Sequence, residues 1–450
     1  MKVTFLGAVG TVTGSKFLVE TQQTKLLIDC GLFQGLKDLR LRNWQALPFA
    51  PAELDAVILT HAHLDHSGYL PLLVRNGFKG PIFCSAPTGE LCKILLPDSG
   101  RINEEDAEHA NRKGYSRHQP AAALYNEADA LNCLPLLQPK EIDQRHQIGD
   151  LAFRLERVGH ILGATSVTLF YQGRSLVFSG DIGRYQDLLE LSPVPANGGD
   201  YLVMESTYGN RIHQAASPVE ELAKLVNSVI QQQGILLIPA FALGRAQVLL
   251  YCLLQVFKKN LAPKIPVFLN SPMATQITNL YQRFPQWHRL SPEESDELFA
   301  MPIYISSVED SKELTKEKGP HIIISASGMI TGGRVLHHLK ELAPDPHNII
   351  LLPGFQAVGT RGELLVAGNK TLKIHGETVA IAAPVYHWDT LSAHADQEEL
   401  LHWLRSCKQK PGKIYIVHGE PKASAALAQK IRDELGIETE IPHYESVAQF

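Results

Sequence analysis

Four side chains that commonly bind metals fall within six consecutive residues: His61, His63, Asp65 and His66. In an extended loop, residues two apart point to the same side. His61 and His63 can therefore bind one ion, while Asp65 and His66 turn toward another. Two divalent ions a few ångström apart are a common device for hydrolysing phosphate esters at neutral pH. The spacing predicts a two-metal hydrolytic centre.

The elements around this cluster favour a functional loop. The apolar run Ala56–Leu59 is typical of a buried strand, and Ser67–Val74 has the pattern of a helix. The alternative is a set of unrelated surface histidines. Four ligands at metal spacing behind a strand seldom arise from composition alone, so we favour the metal centre.

Further potential ligands occur in similar settings along the chain. Asp29, Asp181 and His418 each follow closely on an apolar run, and His160 lies in a stretch punctuated by glycines. Polar groups at the ends of buried strands are where α/β enzymes assemble sites. Taken singly, Asp29 could cap a turn, and either histidine could be a hydrogen-bonded core residue. Together they supply the additional imidazoles and the bridging carboxylate that two metals need.

These motifs, in this order, resemble the metallo-β-lactamase superfamily and, within it, the β-CASP nucleases of RNA processing. The resemblance covers essentially the whole chain. Asp29 matches motif 1, His61, His63, Asp65 and His66 match motif 2, His160 matches motif 3, Asp181 matches motif 4, and Glu205, His394 and His418 match the β-CASP motifs A, B and C. DNA-directed members usually carry a hydrophobic residue at the last position, so His418 points to the RNA-directed branch.

The resemblance implies two Zn²⁺ ions per chain. We expect one ion on His61, His63 and His160, the other on Asp65, His66 and His418, and Asp181 between them. Asp29 is expected to orient the metal ligands by hydrogen bonding, without binding a metal itself. The expected catalytic residues are Asp65, Glu205 and His394, with His394 as the general acid and Glu205 hydrogen-bonded behind it.

The resemblance and the hydropathy pattern together imply an α/β protein in which an αββα metallo-β-lactamase sandwich carries an inserted β-CASP domain. Residues 1–208 alternate strand-like runs and turns, with few long helices, which suits two packed sheets. Residues 209–370 alternate strands and helices, which predicts a parallel, doubly wound sheet. Residues 371–450 are expected to return to the first domain. The clearest predicted strands are 3–6, 17–20, 26–28, 57–59, 167–171, 234–239, 266–269 and 321–325, and the clearest helices are 218–233 and 245–258.

The inserted domain has two candidate phosphate-binding turns. Ser327 and Gly328 lie in a run of small residues after a predicted strand, and Thr360 and Arg361 lie in a second glycine-rich turn. Small residues let backbone N–H groups approach an anion closely. Ordinary tight turns explain the same glycines equally well.

Composition is that of a globular enzyme, with 44% hydrophobic and 20% charged residues. No apolar stretch approaches twenty residues, so no membrane span is expected. The six cysteines are scattered without a CxxC pair, which favours reduced thiols in the cytoplasm.

The net charge of −5 argues mildly against a protein that coats RNA, although an enzyme needs only local positive charge. For the two basic stretches, Lys37–Arg42 and Arg112–His118, a solvated face is the favoured interpretation.

We therefore predict a zinc-dependent ribonuclease that hydrolyses phosphodiester bonds of single-stranded RNA, with endonuclease and exonuclease action both open. Two alternatives remain: a hydrolase of thioesters, lactones or lactams with the same metal ligands, and a catalytically silent subunit of an RNA-processing complex. The final residues, Tyr444–Phe450, could pair with a second copy, which leaves a homodimer open.

Overall fold

The structure, a computed structural model, describes residues 1–113, 119–196, 199–213, 217–354, 356–357, 359–388 and 391–450. It divides into two compact units, one of residues 1–212 and 394–450 and the other of residues 213–393. Of the basic stretch Arg112–His118, residues 114–118 lie outside the described part of the chain.

The first unit begins with strands of three to seven residues. The strands are β1 (Lys2–Phe5), β2 (Phe17–Glu20), β3 (Lys25–Ile28), β4 (Ala56–Ile58), β5 (Ile82–Cys84), β6 (Leu137–Pro139), β7 (His146–Ile148), β8 (Leu151–Arg157), β9 (Thr165–Tyr171), β10 (Arg174–Phe178) and β11 (Tyr201–Glu205). The helices are α1 (Lys37–Arg42), α2 (Leu64–Ser67), α3 (Leu70–Arg75), α4 (Ala86–Lys113) and α5 (Glu127–Cys133).

The second unit alternates strands with helices. Its strands are β12 (Ile235–Pro239), β13 (Val267–Asn270), β14 (Ile303–Tyr304), β15 (His321–Ser325), β16 (Ile349–Leu352), β17 (Thr371–Ile374), β18 (Glu377–Ala380) and β19 (Val385–His387). Its helices are α6 (Pro218–Gln232), α7 (Arg245–Lys258), α8 (Pro272–Arg283), α9 (Pro292–Ala300), α10 (Val308–Lys316), α11 (Val335–Leu342) and α12 (Arg361–Val366). The chain then completes the first unit with α13 (Gln397–Ser406), β20 (Lys413–Val417), α14 (Pro421–Leu435), β21 (Glu438–Glu440) and β22 (Val447–Gln449).

The first unit is a sandwich of two seven-stranded sheets, in the orders β22-β1-β2-β3-β4-β5-β6 and β21-β20-β11-β10-β9-β8-β7. The inner faces of both sheets contribute to one buried cluster. Within it the rings of Phe17 and Phe178, one from each sheet, have centroids 5.5 Å apart. Trp403 and Leu400 of α13 pack on the outer face of the second sheet. This arrangement confirms the predicted αββα sandwich.

Strand direction decides where polar side chains gather in this unit. β3 and β4 are parallel in the first sheet, and β10, β11 and β20 are parallel in the second. The carboxyl ends of parallel strands lie at the same edge of a sheet. The residues that follow these strands are therefore brought together at one end of the sandwich.

The second unit contains a six-stranded sheet in the order β14-β13-β15-β12-β16-β19, and every strand pair in it is parallel. Buried side chains of β12 such as Leu237 pack with Leu339 of α11 in the core of this unit. The parallel sheet and the predicted strands and helices of this region are confirmed, with ends that move by one or two residues.

The compact units divide at 212/213 and 393/394, whereas the sequence analysis places the insertion at 209–370. The difference at the second boundary has a simple cause. β19 pairs with β16 in the parallel sheet, and Val379 and Ile381 join the core of the second unit. Residues 371–387 therefore pack with the second unit.

α4 is longer, at 28 residues, than any helix expected in the first part of the chain. Its buried side chains, such as Leu91 and Leu96, are concentrated in its first half, and its second half is mostly polar. An apolar stripe is the main signal of a helix in a sequence, and here it is incomplete. In the described ranges, no helix combines the length and hydropathy needed to cross a membrane.

The last strand, β22, pairs with β1 of the same chain. Residues 444–450 thus complete a sheet of their own unit. A homodimer through this segment stays a prediction.

Candidate metal centre

The loop after β4 carries the second motif. The chain is extended at His63, with φ −55° and ψ 145°, and helix α2 begins at the next residue. His61 and His63 therefore lie in the extended part of the loop, whereas Asp65 and His66 lie on the single turn of α2. This change of backbone separates the four side chains into two pairs.

One set of four ligand atoms converges around His63. Its Nδ1 atom lies 3.1 Å from His61 Nε2 and 3.1 Å from His160 Nε2. Asp181 Oδ2 lies 3.5 Å from the Nε2 atoms of His61 and His160. Ligands about 2.0–2.1 Å from a tetrahedral ion are about 3.3 Å apart. Three imidazole nitrogens and one carboxylate oxygen thus have the spacing of a tetrahedral zinc site.

A second set lies beside the first. His66 Nε2 lies 3.1 Å from His418 Nε2 and 4.0 Å from Asp65 Oδ2. Asp65 Oδ2 is also 3.5 Å from His418 Nε2. Asp181 Oδ1 completes the set at 3.3 Å from His66 Nε2. These distances suit a second divalent ion held by two imidazoles and two carboxylates.

Asp181 belongs to both sets, one oxygen to each. It is only 2% exposed, and its Oδ1 atom is buried without a well-aligned hydrogen-bond donor. A buried carboxylate oxygen without a donor is costly unless a cation lies against it. The residues present therefore fit two divalent ions bridged by Asp181. Nitrogen-rich donor sets of this kind suit zinc and similar transition metals.

The electrostatics agree with a ligand role. Burial lowers the pKa of His63 to about 4, and it lowers the pKa values of His61 and His160 well below the ordinary value. These rings are therefore neutral near pH 7, as a metal ligand must be. Burial would also lower the pKa of His66, but the carboxylates of Asp181 and Asp29 raise it well above the usual range. Without a metal, a proton on His66 offsets that negative charge.

Asp29 lies behind the metal-facing atoms. Its Oδ2 atom accepts a hydrogen bond from His66 Nδ1 at 2.7 Å, and its Oδ1 atom accepts one from the Thr60 backbone N–H at 2.8 Å. The bond at Nδ1 fixes the tautomer of His66 with its free lone pair on Nε2. This is the arrangement expected of a residue that orients a ligand.

Two threonines that the sequence analysis does not identify play a similar part. Thr60 Oγ1 lies 3.1 Å from His61 Nδ1, and Thr207 Oγ1 lies 3.1 Å from His418 Nδ1. Each hydroxyl oxygen can accept a hydrogen bond from the Nδ1–H group, which leaves Nε2 free for a metal. The signal in the sequence is their place next to His61 and two residues after Glu205.

The backbone is strained at three of these positions. Asp29, His160 and His418 adopt positive φ angles of 59°, 67° and 48°. Residues other than glycine rarely adopt this conformation, which costs of order 1–3 kcal/mol where it is kept. Strain of this kind often accompanies functional sites, and it turns each side chain sharply out of the strand that precedes it.

Two glycines allow the loops of the centre to come close. A Cβ atom on Gly31 would lie 1.6 Å from the Asp65 carbonyl oxygen, and one on Gly183 would lie 2.0 Å from the His160 nitrogen. Any side chain at these positions would push the ligand loops apart.

Replacing Asp29 with asparagine should weaken zinc binding by about 10- to 100-fold, the usual effect of losing a group that orients a ligand. The amide keeps the size of the side chain but loses the charge that holds the His66 Nδ1 proton. Zinc titration against a competing chelator measures the change. Asp55→Asn, at the amino end of β4 and exposed, is the matched control. Unchanged zinc affinity in Asp29→Asn would remove the assigned role.

His394 and Glu205 form a pair beside the first set of ligands. His394 Nδ1 lies 3.4 Å from Glu205 Oε1 and 4.0 Å from Asp181 Oδ2. Glu205 is buried and also accepts hydrogen bonds from the backbone N–H groups of Ile182 and Thr207. Burial would lower the pKa of His394, but the negative charge of Glu205 raises it to about 9. Glu205 therefore fixes the orientation of His394 and favours its protonated form.

The predicted phosphate-binding residues lie in the second unit. Ser327 Oγ accepts a hydrogen bond from the Thr331 N–H, so it stabilises its own loop. Thr360 caps α12, and Arg361 donates to the carbonyl oxygens of Lys373 and Ile330. The two predicted turns are therefore neighbours, with Arg361 joining them. Phosphate binding by Ser327, Gly328, Thr360 and Arg361 stays a prediction.

Comparison with known families agrees with this architecture. The metallo-beta-lactamase superfamily matches residues 9–223, and the Beta-Casp domain matches residues 246–365. A third family, described as the Zn-dependent metallo-hydrolase RNA specificity domain, matches residues 378–442.

Relatives are similar over nearly the whole chain. Ribonuclease TTHA0252 of Thermus thermophilus is 34% identical over 438 residues, 95% of each chain. The transcription termination factor FttA of Methanocaldococcus jannaschii is 31% identical over 98% of this chain and 70% of its own. A crystal structure of a protein of unknown function from Enterococcus faecalis V583 has a TM-score of 0.56, 15% identity and 99% coverage of both chains, and thus shares the fold.

Matches to these families extend along most of the chain, and the ribonuclease relative is similar from end to end. The chain therefore belongs to the β-CASP metallo-hydrolases of the metallo-β-lactamase superfamily.

Proposed function

We propose that this protein is a ribonuclease that binds two zinc ions and hydrolyses phosphodiester bonds of single-stranded RNA, in RNA processing or decay. The observation that carries the proposal is the position of Asp181, whose two oxygens face two separate sets of ligand atoms. A carboxylate shared in this way would suit two metal ions, a combination common in enzymes that hydrolyse phosphate esters.

Two bound zinc ions would supply an activated water and would neutralise charge on the phosphate oxygens. The protein groups then have separate tasks. Asp29, Thr60 and Thr207 hold imidazoles in one orientation through their Nδ1 atoms. Asp65 would hold one of the ions together with His66 and His418, and its side chain is 20% exposed.

His394 is the proposed general acid. Its Nδ1 atom faces Glu205, so its Nε2 atom is turned away from that carboxylate. A protonated imidazole in this position can donate its Nε2 proton to the leaving ribose oxygen. Glu205 keeps the ring in place and stabilises its positive charge.

RNA as the substrate is supported by the names of the relatives, a ribonuclease and a termination factor, and by the family matched at residues 378–442. We propose a single strand because unpaired bases and an exposed backbone are the features that proteins usually recognise in RNA. Endonuclease and exonuclease action are both compatible with these residues.

The test is cleavage of one RNA labelled at its 5′ end and, separately, at its 3′ end. The zinc-loaded protein should cleave it, and the Asp65→Ala/His66→Ala variant should not. Internal fragments would identify an endonuclease, and mononucleotides released from one end would identify an exonuclease.

Failure of a fully metallated protein to cleave RNA would contradict the proposal. Hydrolysis of a thioester, lactone or chromogenic β-lactam by the same sample would then favour the other hydrolase. Unchanged RNA processing after replacing Asp65 and His66 would favour a silent subunit.

We also propose that the protein works in the cytoplasm. The six cysteines are scattered along the sequence without a CxxC pair, and five of them are buried. Scattered, buried cysteines of this kind are usual for proteins of a reducing compartment.

A further inference from the structure

We propose that residues 36–44, here called the Leu36–Trp44 arm, form a second contact for single-stranded RNA, outside the metal centre. In this contact Trp44 stacks on a base, and Lys37 and Arg40 bind phosphates. The inference rests on the proposed function, because it takes RNA as the ligand.

The arm exposes an unusual amount of apolar surface. Leu36 is 68% exposed, Leu41 is 48% exposed and Trp44 is 56% exposed. The arm contains α1, which has no buried residue. Large apolar side chains grouped on one short segment mark a contact surface more often than isolated ones do.

The arm is nevertheless held in place. The Asn43 side chain is buried and bonds the backbone of Phe33 twice, accepting from its N–H at 2.9 Å and donating to its carbonyl at 2.8 Å. The Arg42 guanidinium lies over the ring of Tyr444, 4.4 Å from its centroid. These contacts hold the carboxyl end of the arm against Phe33 and Tyr444. The exposed side chains of the arm therefore lie on a segment that is fixed to the rest of the unit.

The base of the arm joins the metal centre. Cys30 N–H donates to the His66 carbonyl at 2.7 Å, and Leu32 N–H donates to the Leu64 carbonyl at 2.9 Å. Residues 30–32 are therefore bonded to the loop that carries Asp65 and His66, and the exposed Leu36 follows four residues after Leu32. This connection is why we assign the arm to the same RNA strand as the metal centre.

The charges of the arm favour a polyanion. Lys37, Arg40 and Arg42 outnumber the single acid, Asp38, on a chain whose net charge is −5. Arg42 is engaged with Tyr444. Arg40 lies near the carboxylate of Asp106 on α4, and Lys37 and Arg40 are both exposed. An exposed indole beside cations is the usual combination for binding single strands, because every base offers a flat face for stacking.

Trp44 also provides a fluorescence signal by which RNA binding to the arm can be measured. The chain has four tryptophans, and the other three, Trp287, Trp388 and Trp403, are buried. We would titrate the zinc-loaded protein with a long oligouridylate whose linkages are phosphorothioates, which resist hydrolysis, and record tryptophan fluorescence. Saturable quenching that weakens with salt is expected in the wild type and should be absent in Trp44→Leu.

Binding strength is measured independently by the fluorescence anisotropy of end-labelled oligouridylate. Trp44→Leu and Lys37→Ala/Arg40→Ala should each weaken it by about 5- to 100-fold, as expected for one stacked base or its paired phosphates. Leu131→Ala replaces an exposed apolar residue on α5 and should bind like the wild type.

Measurements of turnover distinguish a failure of this inference from a failure of the proposed function. The arm variants should raise KM for long RNA and leave dinucleotide cleavage unchanged. Equal KM values at every length, with cleavage intact, would overturn the arm and keep the ribonuclease. Quenching of Trp44 in a protein that cleaves no RNA would keep the arm and overturn the ribonuclease.

A ligand other than single-stranded RNA at the Leu36–Trp44 arm would give different fluorescence results. Fluorescence that changes with protein concentration alone would indicate a second copy of the chain and overturn the inference. Equal quenching by an acidic peptide or by duplex RNA would show a general response to negative charge and would overturn it as well.

Discussion

Asp181→Ala is expected to remove nearly all hydrolysis while the protein stays folded. The substitution removes the one side chain shared by both ligand sets, so neither set keeps its full number of donors. Metal ions contribute several kcal/mol to transition-state stabilisation in such enzymes, so turnover should fall by about 10³-fold or more.

Metal content and rate would be measured on the same sample, by elemental analysis and by cleavage of labelled RNA. Zinc bound per chain should fall together with the rate. Asp433→Ala, which removes an exposed carboxylate on α14, should change neither quantity. A variant that still holds two zinc ions and cleaves RNA normally would show that Asp181 does not bridge them.

His394→Ala is expected to separate metal binding from catalysis. His394 lies 4.0 Å from the nearest oxygen of Asp181 and against Glu205, so its loss should leave both ligand sets complete. Removal of a general acid typically lowers turnover by about 10²- to 10⁴-fold. We expect that loss in kcat, with little change in KM and with normal zinc content.

His443→Ala is the matched control, since it replaces an exposed histidine of the same unit. Glu205→Gln should also lower kcat, because the amide no longer stabilises a charged imidazole beside it. Loss of zinc from His394→Ala would instead make His394 a metal ligand. A leaving group that needs no proton should restore much of the rate in His394→Ala if the residue acts as the acid.

The cluster of ligands after β4 could be predicted from sequence because its information is local. The cluster consists of four near neighbours in the chain, His61, His63, Asp65 and His66. In an extended backbone, side chains two residues apart point to the same side, and this is enough to predict that they bind in pairs. Asp29 and His418 required a tertiary argument, that polar residues after buried strands gather at one edge. The sandwich and the parallel sheet followed from the family resemblance together with the hydropathy pattern, which reports burial.

The features missed by the sequence analysis depend on contacts between distant residues. Thr60 and Thr207 are ordinary threonines until the fold places them against the Nδ1 atoms of His61 and His418. The positive φ angle of His160 leaves no clear trace in the sequence, because histidine, although enriched in that conformation, adopts it in only a minority of cases. The pairing of β19 with β16 likewise leaves no local signal, since it joins residues 35 positions apart, such as Ile350 and Val385.

The ligand atoms come from both layers of the sandwich. His61 and His66 follow a strand of the first sheet, whereas His160, Asp181 and His418 follow strands of the second. Ions held by these groups would cross-link the layers at one end, and unfolding would then require their release. Each ion at 1,000 times its dissociation constant would add about 4 kcal/mol to the free energy of unfolding. The metal centre would thus also stabilise the fold, and the concentration of free zinc would set the fraction of the protein that is folded.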